Sequence, residues 1–233
     1  GQQHTADRRR DADVNTVALD DQLTNIAQIV RKAPKITLRR AYTRALREWC
    51  QQTQWLRITI PGSTTADVET YGLGTDPGLD IIAIRAISLT QVIGTKPQTY
   101  GLRPSDSTQW NPNAIRDVPR QYCYVPEGSF ALYPTPDAVY TLSISVIVTP
   151  KETAAAAQIP GDPLIKYSND IEAGALAYLL ALPGQPWTDA AAAARYMRDF
   201  ASAIANGKAE AQRAYNTGSM RVRPRPFLTG SYR

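Results

Sequence analysis

The chain has 233 residues, 43% hydrophobic and 20% charged, enough for one or two domains with a core that needs no disulfide staples. No apolar run approaches ~18 residues, which argues against a membrane-spanning helix. The formal charge of +5 is unevenly placed: residues 61–205 carry 9 Lys/Arg against 14 Asp/Glu, residues 36–60 five against one, and residues 206–233 six against one. That asymmetry points to a polyanion or an acidic protein as partner at particular surfaces.

Residues 1–13 (GQQHTADRRRDAD) are polar and mixed in charge, and read as a mobile N-terminal segment or one ordered by a neighbour. From Val14 to Lys32 the residues Val17, Leu19, Leu23, Ile26, Ala27 and Val30 fall on one side, predicting a helix that Ala33-Pro34 ends. Thr37 is the expected N-cap of a second helix, Leu38 to about Gln54, with Leu38, Ala41, Tyr42, Ala45, Trp49 and Cys50 on its apolar face. Arg39, Arg40, Arg44 and Arg47 occupy the remainder. Such a face suits DNA, solvent, or acidic groups on a neighbouring chain.

At Leu56 the pattern changes to strands. LRITI, ADVETY, LDIIAIRAISL, RQYCYV, SFALYP and AVYTLSISVIV are rich in β-branched and aromatic residues. In the last, Tyr140, Leu142, Ile144, Val146 and Val148 alternate with Val139, Thr141, Ser143, Ser145 and Ile147, so the even positions are expected to face a core. Pro61-Gly62, Asp76-Pro77-Gly78, Pro126-Glu127-Gly128 and Pro134-Thr135-Pro136 read as turns. Gly94 to Pro119 reads as a long loop whose Tyr100 and Trp110 either stack on a sugar or base or pack the loop itself. Residues 56–150 together predict an inserted antiparallel β-sandwich or barrel.

Residues 151–163 read as a linker. Leu164 to Phe200 then predicts a helical hairpin. Ile171, Ala175, Tyr178, Leu179 and Leu182 form one apolar row, and Pro183-Gly184-Gln185-Pro186 stops the helix. Thr188 is the expected cap of the next helix, whose row is Ala192, Tyr196, Phe200, Ala203 and Ile204 and which runs through Arg213. Residues 14–55 and 164–217 are thus expected to form a helical bundle. Residues 218–233 read as an extended arm, since Pro224 and Pro226 forbid a helix, with Val222 and Phe227 as apolar anchors. The fold class is α+β.

The residues show no catalytic constellation. The one histidine, His4, sits in the polar start, so a His-based nucleophilic pair or metal site is not expected. Asp67/Glu69 and Asp170/Glu172 form no recognisable acid/base pair, and Gly72-Leu73-Gly74-Thr75-Asp76-Pro77 reads as a hairpin turn rather than a phosphate loop. Cys50 and Cys123 lack CxxC spacing and are either one disulfide or, the preferred reading, two free thiols. No cofactor or metal and no enzymatic activity are expected.

The order of the pieces carries a resemblance: LRRAYTRALREWCQQTQWL leading into a β module, a closing strand FALYPTPDAVYTLSISVIVTP, then IPGDPLIKYSNDIEAGALAYLLALPGQPWTD, and a terminal RVRPRPF. This resembles the head-to-tail adaptors of tailed bacteriophages, especially the tubular adaptor of short-tailed phages, over Leu38 to Phe227. Residues 1–35 are longer and more charged than that pattern. The resemblance implies a structural virion protein at the head–tail junction, assembled in the host cytoplasm. It implies a homo-oligomeric ring, usually twelvefold, below the portal protein, continuing the channel for genomic DNA and offering a platform to the tail or nozzle protein. It also implies an arm that docks on the portal through Arg221, Val222, Arg223, Pro224, Arg225, Pro226 and Phe227. Arg39, Arg40, Arg44 and Arg47 are then candidates for channel or inter-subunit charge. The competing expectations are a nucleic-acid-binding module, or a β-rich tail-fibre or baseplate component that binds a host glycan.

Overall fold

The computed structural model describes residues 16–74, 78–110, 116–125, 128–151 and 158–215. The N-terminal segment, the C-terminal arm and the expected turns at Asp76-Pro77 and Pro126-Glu127 lie outside the described residues.

The chain is α+β, with helices and largely antiparallel sheets. Its opening departs from the expected single helix. Thr16–Ala18 is a strand (β1), followed by two short helices, α1 (Leu19–Gln22) and α2 (Thr24–Ile29). The apolar spacing identified the right face, because Leu19, Leu23, Ile26 and Val30 are all buried. What it missed is that β1 finds a partner far along the chain. Gln158–Pro160 (β10), inside the expected linker, pairs antiparallel with it, Val17 opposite Ile159. A three-residue strand is stable only through such a pairing, and no local periodicity announces it.

Helix α3 (Lys35–Thr53) begins three residues before the expected start. Pro34, not Thr37, precedes its first turn, and no side chain caps it. Proline tolerates that place because the first amides of a helix have no partner within it. Gln54 ends the helix in the left-handed region, φ 54°, with its amide bonded to Cys50 O. That reversal feeds the chain into the sheets.

The strands are β2 (Arg57–Ser63), β3 (Thr70–Gly72), β4 (Leu79–Ile93), β5 (Lys96–Gly101), β6 (Arg103–Pro104), β7 (Gln121–Val125), β8 (Ser129–Tyr133) and β9 (Thr141–Pro150). They form two four-stranded sheets, in the orders β2-β9-β4-β5 and β3-β8-β7-β6. The only parallel pairing among the described residues is the two-residue contact of β6 with β7. Much of the expected loop from Gly94 is therefore sheet. Gly94, at φ 64°, turns β4 into β5, and Leu102 N donates to Ile87 O at 2.8 Å as the chain crosses to the other sheet. Pro61-Gly62 is not a turn. It lies within β2, opposite Ser143 and Leu142, and β2 is an edge strand, where a missing N–H is tolerated.

β9 is central, and its even residues Leu142, Ile144, Val146 and Val148 are buried as the alternation predicts. Its end is buried on the other face too, at Ile147 and Thr149, because α3 lies there and Thr149 Oγ1 donates to Arg47 O. The two sheets share one apolar core: Ile87, Leu89 and Ile144 from the first meet Tyr122, Phe130 and Leu132 from the second.

Helices α4 (Leu164–Leu180) and α5 (Ala190–Tyr215) form the expected hairpin and pack on α3. Leu182 falls beyond α4 and is exposed. Asp189, one residue past Thr188, caps α5: its Oδ1 accepts from Ala192 N at 3.0 Å. Thr188 Oγ1 instead bonds Leu182 O and Gln185 N, closing the turn. Two glycines set how closely the helices approach. A Cβ on Gly174 would stand 2.7 Å from the Phe200 ring, and one on Gly207 would stand 2.9 Å from Trp49. Trp49, Trp55 and Tyr167 pack as a three-ring cluster with centroids 4.8 to 5.9 Å apart.

Candidate functional site

Among the described residues no group of three or more His, Cys, Asp or Glu is placed to hold a metal. His4 lies outside them. Asp67 pairs with Arg116 at 2.8 Å, and Glu172 accepts from Asn25. Burial, then repulsion from Asp199, raises the pKa of Asp170. Asp170 and Glu172 thus have different neighbours, Asp199 and Asn25. Gly72-Leu73-Gly74 is no hairpin turn: β3 and β4 belong to different sheets, and Leu73 N donates to Gly128 O at 2.7 Å. Trp110 stacks on Tyr133 at 5.1 Å and its indole donates to Ser105 Oγ, so this ring packs its own loop. Cys50 is a buried free thiol and Cys123 a half-buried one.

The charged surfaces carry more information. The four helix arginines do not act as one patch. Arg39 donates from Nε and Nη2 to Asp20 Oδ1 at 2.9 and 2.7 Å, while Lys35 takes Asp20 Oδ2 at 2.6 Å. Those hydrogen bonds, from Lys35 first and then Arg39, hold the Asp20 carboxyl below its ordinary range. Arg47 pairs with Asp80 at 3.2 Å, tying α3 to β4. The Arg44 guanidinium lies 4.4 Å over the Tyr178 ring, whose hydroxyl bonds Glu48. Burial, then that bond, pushes the Tyr178 hydroxyl up to about 12. Arg40 is exposed. On the opposite side of the helices Tyr167 donates to Glu210 Oε2 at 2.6 Å beside Lys166, joining α4 to α5. Arg221, Val222, Arg223, Pro224, Arg225, Pro226 and Phe227 lie outside the described residues.

A second basic surface was not marked by any run in the sequence. A groove of about 490 Å³ opens where α3, the first sheet and α5 meet, and Arg57, Arg85 and Lys208 line it with Gln51, Gln54 and Gln212. Each arrives by its own device. The left-handed Gln54 turns the chain so that Arg57 follows at once, its Nε donating to Gln54 O at 3.2 Å. Arg85 is the extra residue of a bulge: Ile84 faces Val146 and Ala86 faces Ser145, leaving Arg85 without an opposite number. Bulges of this kind re-aim a side chain. Lys208 comes from α5, brought close because Gly207 has no Cβ to meet Trp49 and Thr53. One signal was available in the sequence, the lone arginine inside LDIIAIRAISL, an ill fit for a strand buried on both faces.

The chain presents basic side chains at two surfaces among its described residues, the α3 face and the groove beside α5. No curated protein matches it. The family described as SU10 adaptor protein matches residues 10–225, starting ahead of β1 and so including the opening region that had looked foreign to the pattern. The match covers most of the 233 residues, and on it the chain belongs to the SU10 adaptor protein family, as a phage structural adaptor.

Proposed function

We propose that this adaptor forms a ring, twelvefold, below the portal, continuing the DNA channel and offering the tail or nozzle protein its platform. In this reading α3, α4 and α5 are the helical scaffold, the strands of residues 56–150 are a β module inserted into it, and residues 218–233 are the docking arm. The observation that carries the reading is the family match from residue 10 to residue 225.

Physical chemistry supports the arm. Its prolines extend the chain before docking and so lower the ordering cost. Arg221, Arg223 and Arg225 suit carboxylates on a portal surface through bidentate pairing, with Val222 and Phe227 as apolar anchors. In a ring, one weak arm per subunit is multiplied by avidity. Arg40, the helix arginine with no partner among the described residues, is the member of its group that fits inter-subunit charge. Arg39, Arg44 and Arg47 hold the subunit's own geometry and bear on assembly through it.

The test is electron microscopy of the protein mixed with its portal, beside a truncation lacking residues 219–233. A ring seated on the portal, lost on truncation while the thermal unfolding curve persists, supports the reading. A truncated protein that still seats on the portal refutes the docking arm, and a protein that never forms a ring refutes the collar.

A further inference from the structure

The groove at the meeting of α3, β2, β4 and α5 has a composition that selects among polyanions. Its cations come from three elements, Arg57, Arg85 and Lys208, and its remaining polar lining is Gln51, Gln52, Gln54 and Gln212 with Thr53. No carboxylate and no aromatic ring lines it among the described residues, and Ala211 is its one apolar member. We propose that this groove contacts the sugar-phosphate backbone of duplex DNA, without reading sequence.

Each kind of partner needs different chemistry from such a surface. A protein interface of useful affinity centres on aromatic or large aliphatic anchors in desolvated pockets, and the described lining residues include none. Single-stranded nucleic acid needs rings on which its bases stack, and none is among the described lining residues. A duplex lines its outer surface with phosphate oxygens, and Lys, Arg and amide donors are the groups that bind them. Arg85 and Lys208 are exposed and have no ion-pair partner among the described residues, so neither must break a bond to engage. Arg57 is oriented by its bond to Gln54 O. By contrast Arg39 and Arg47 of the α3 face are committed to Asp20 and Asp80. The inference rests on the adaptor reading for the presence of DNA, and it moves the contact from the helix where arginines are dense to the groove where Arg85 and Lys208 have no ion-pair partner among the described residues.

The experiment measures fluorescence anisotropy of a labelled duplex of random sequence with the full chain, from low to physiological salt. Each phosphate contact contributes about −0.9 to the slope of log K against log salt, so Arg85→Gln with Lys208→Gln is expected to flatten the slope by about 2. Lys96→Gln, an exposed cation on β5 outside the groove, is expected to leave it unchanged. Arg221→Gln with Arg223→Gln and Arg225→Gln separates any contribution of the tail. A poly-glutamate peptide of matched charge is the second ligand. An unchanged slope in the groove variant overturns the inference, as does absence of duplex binding at low salt. Equal binding of poly-glutamate, lost with the same two substitutions, overturns it in favour of an acidic protein segment. Portal seating of the groove variant, observed by microscopy, keeps the two questions apart: the groove assignment fails alone if seating persists while the slope does not move, and the adaptor reading fails alone if the slope flattens but the wild-type chain never seats.

Discussion

Gly174 is where α4 meets α5 most tightly, and replacing it by alanine tests the packing of the hairpin directly. The new Cβ would stand 2.7, 2.8 and 2.9 Å from Cδ2, Cε2 and Cγ of Phe200. Carbon atoms sit comfortably at about 3.5–4.0 Å, so the shortfall is close to 1 Å. The ring has nowhere to swing, because Phe200 is 1% exposed and its Cγ hangs directly from α5. Overpacking of this kind costs about 1–3 kcal/mol, and an enclosed site belongs at the upper end. Alanine recovers about 1 kcal/mol of helix propensity over glycine. The net expectation is a loss of about 1–2 kcal/mol, or roughly 3–6 °C in a chain of this size. Urea denaturation should show a lower midpoint at unchanged slope. The sharper test is the background. Phe200→Ala alone should cost about 3–5 kcal/mol, and Gly174→Ala added to it should then stabilise by about 1 kcal/mol, because the clash is gone and only propensity remains. Unchanged or increased stability of Gly174→Ala in the wild-type chain would refute the close approach.

Three further outcomes are expected. Thr64 is 1% exposed, its Oγ1 accepting from Tyr140 N at 2.7 Å and donating to Ala138 O at 2.9 Å. Thr64→Val leaves both backbone groups unpaired, and thermal melting should report a loss of about 1–3 kcal/mol; a neutral substitution would show that the bonds are replaceable. The folded-state pKa of Asp20 is depressed below 3.8, chiefly by Lys35 and Arg39, so its contribution is present above that ordinary value and is lost as pH falls through the folded one. Asp20→Asn should therefore remove part of the acid sensitivity of stability below about pH 4. Identical acid limbs in the two proteins would dismiss the pairing. Burial pushes the Cys50 thiol up to about 12, so a thiol reagent at neutral pH should modify Cys123 in the native protein and reach Cys50 only on unfolding. Immediate modification of both, or of neither after denaturation, would contradict two free thiols with one enclosed.

Features that rest on repeating local spacing could be read from the letters alone. The α4–α5 hairpin follows from its apolar rows, and Ile171, Ala175, Leu179, Phe200 and Ala203 are all buried as the spacing requires. The buried face of β9 follows from period two, and the arginine-bearing helix from its own periodicity. The family was legible in the order of these pieces, because order survives when no single motif is diagnostic. The site was legible only in part. A run of arginines on α3 is visible in the letters, but their neutralisation by Asp20 and Asp80 depends on carboxylates 19 and 33 positions away from Arg39 and Arg47.

Tertiary structure decided the rest. β1 is a strand because β10 lies beside it, more than a hundred residues later; alone, three residues have no reason to extend. β5 and β6 are strands because β4 and β7 offer them edges, although their own residues are those of a loop. The basic groove joins residues 57, 85 and 208, which share no periodicity at all. It exists because a left-handed Gln54, a bulge at Arg85 and a missing Cβ at Gly207 each bring one cation to the same place. Local spacing records which face of an element is apolar, whereas the partner an element meets is set by the free energy of the whole packed chain.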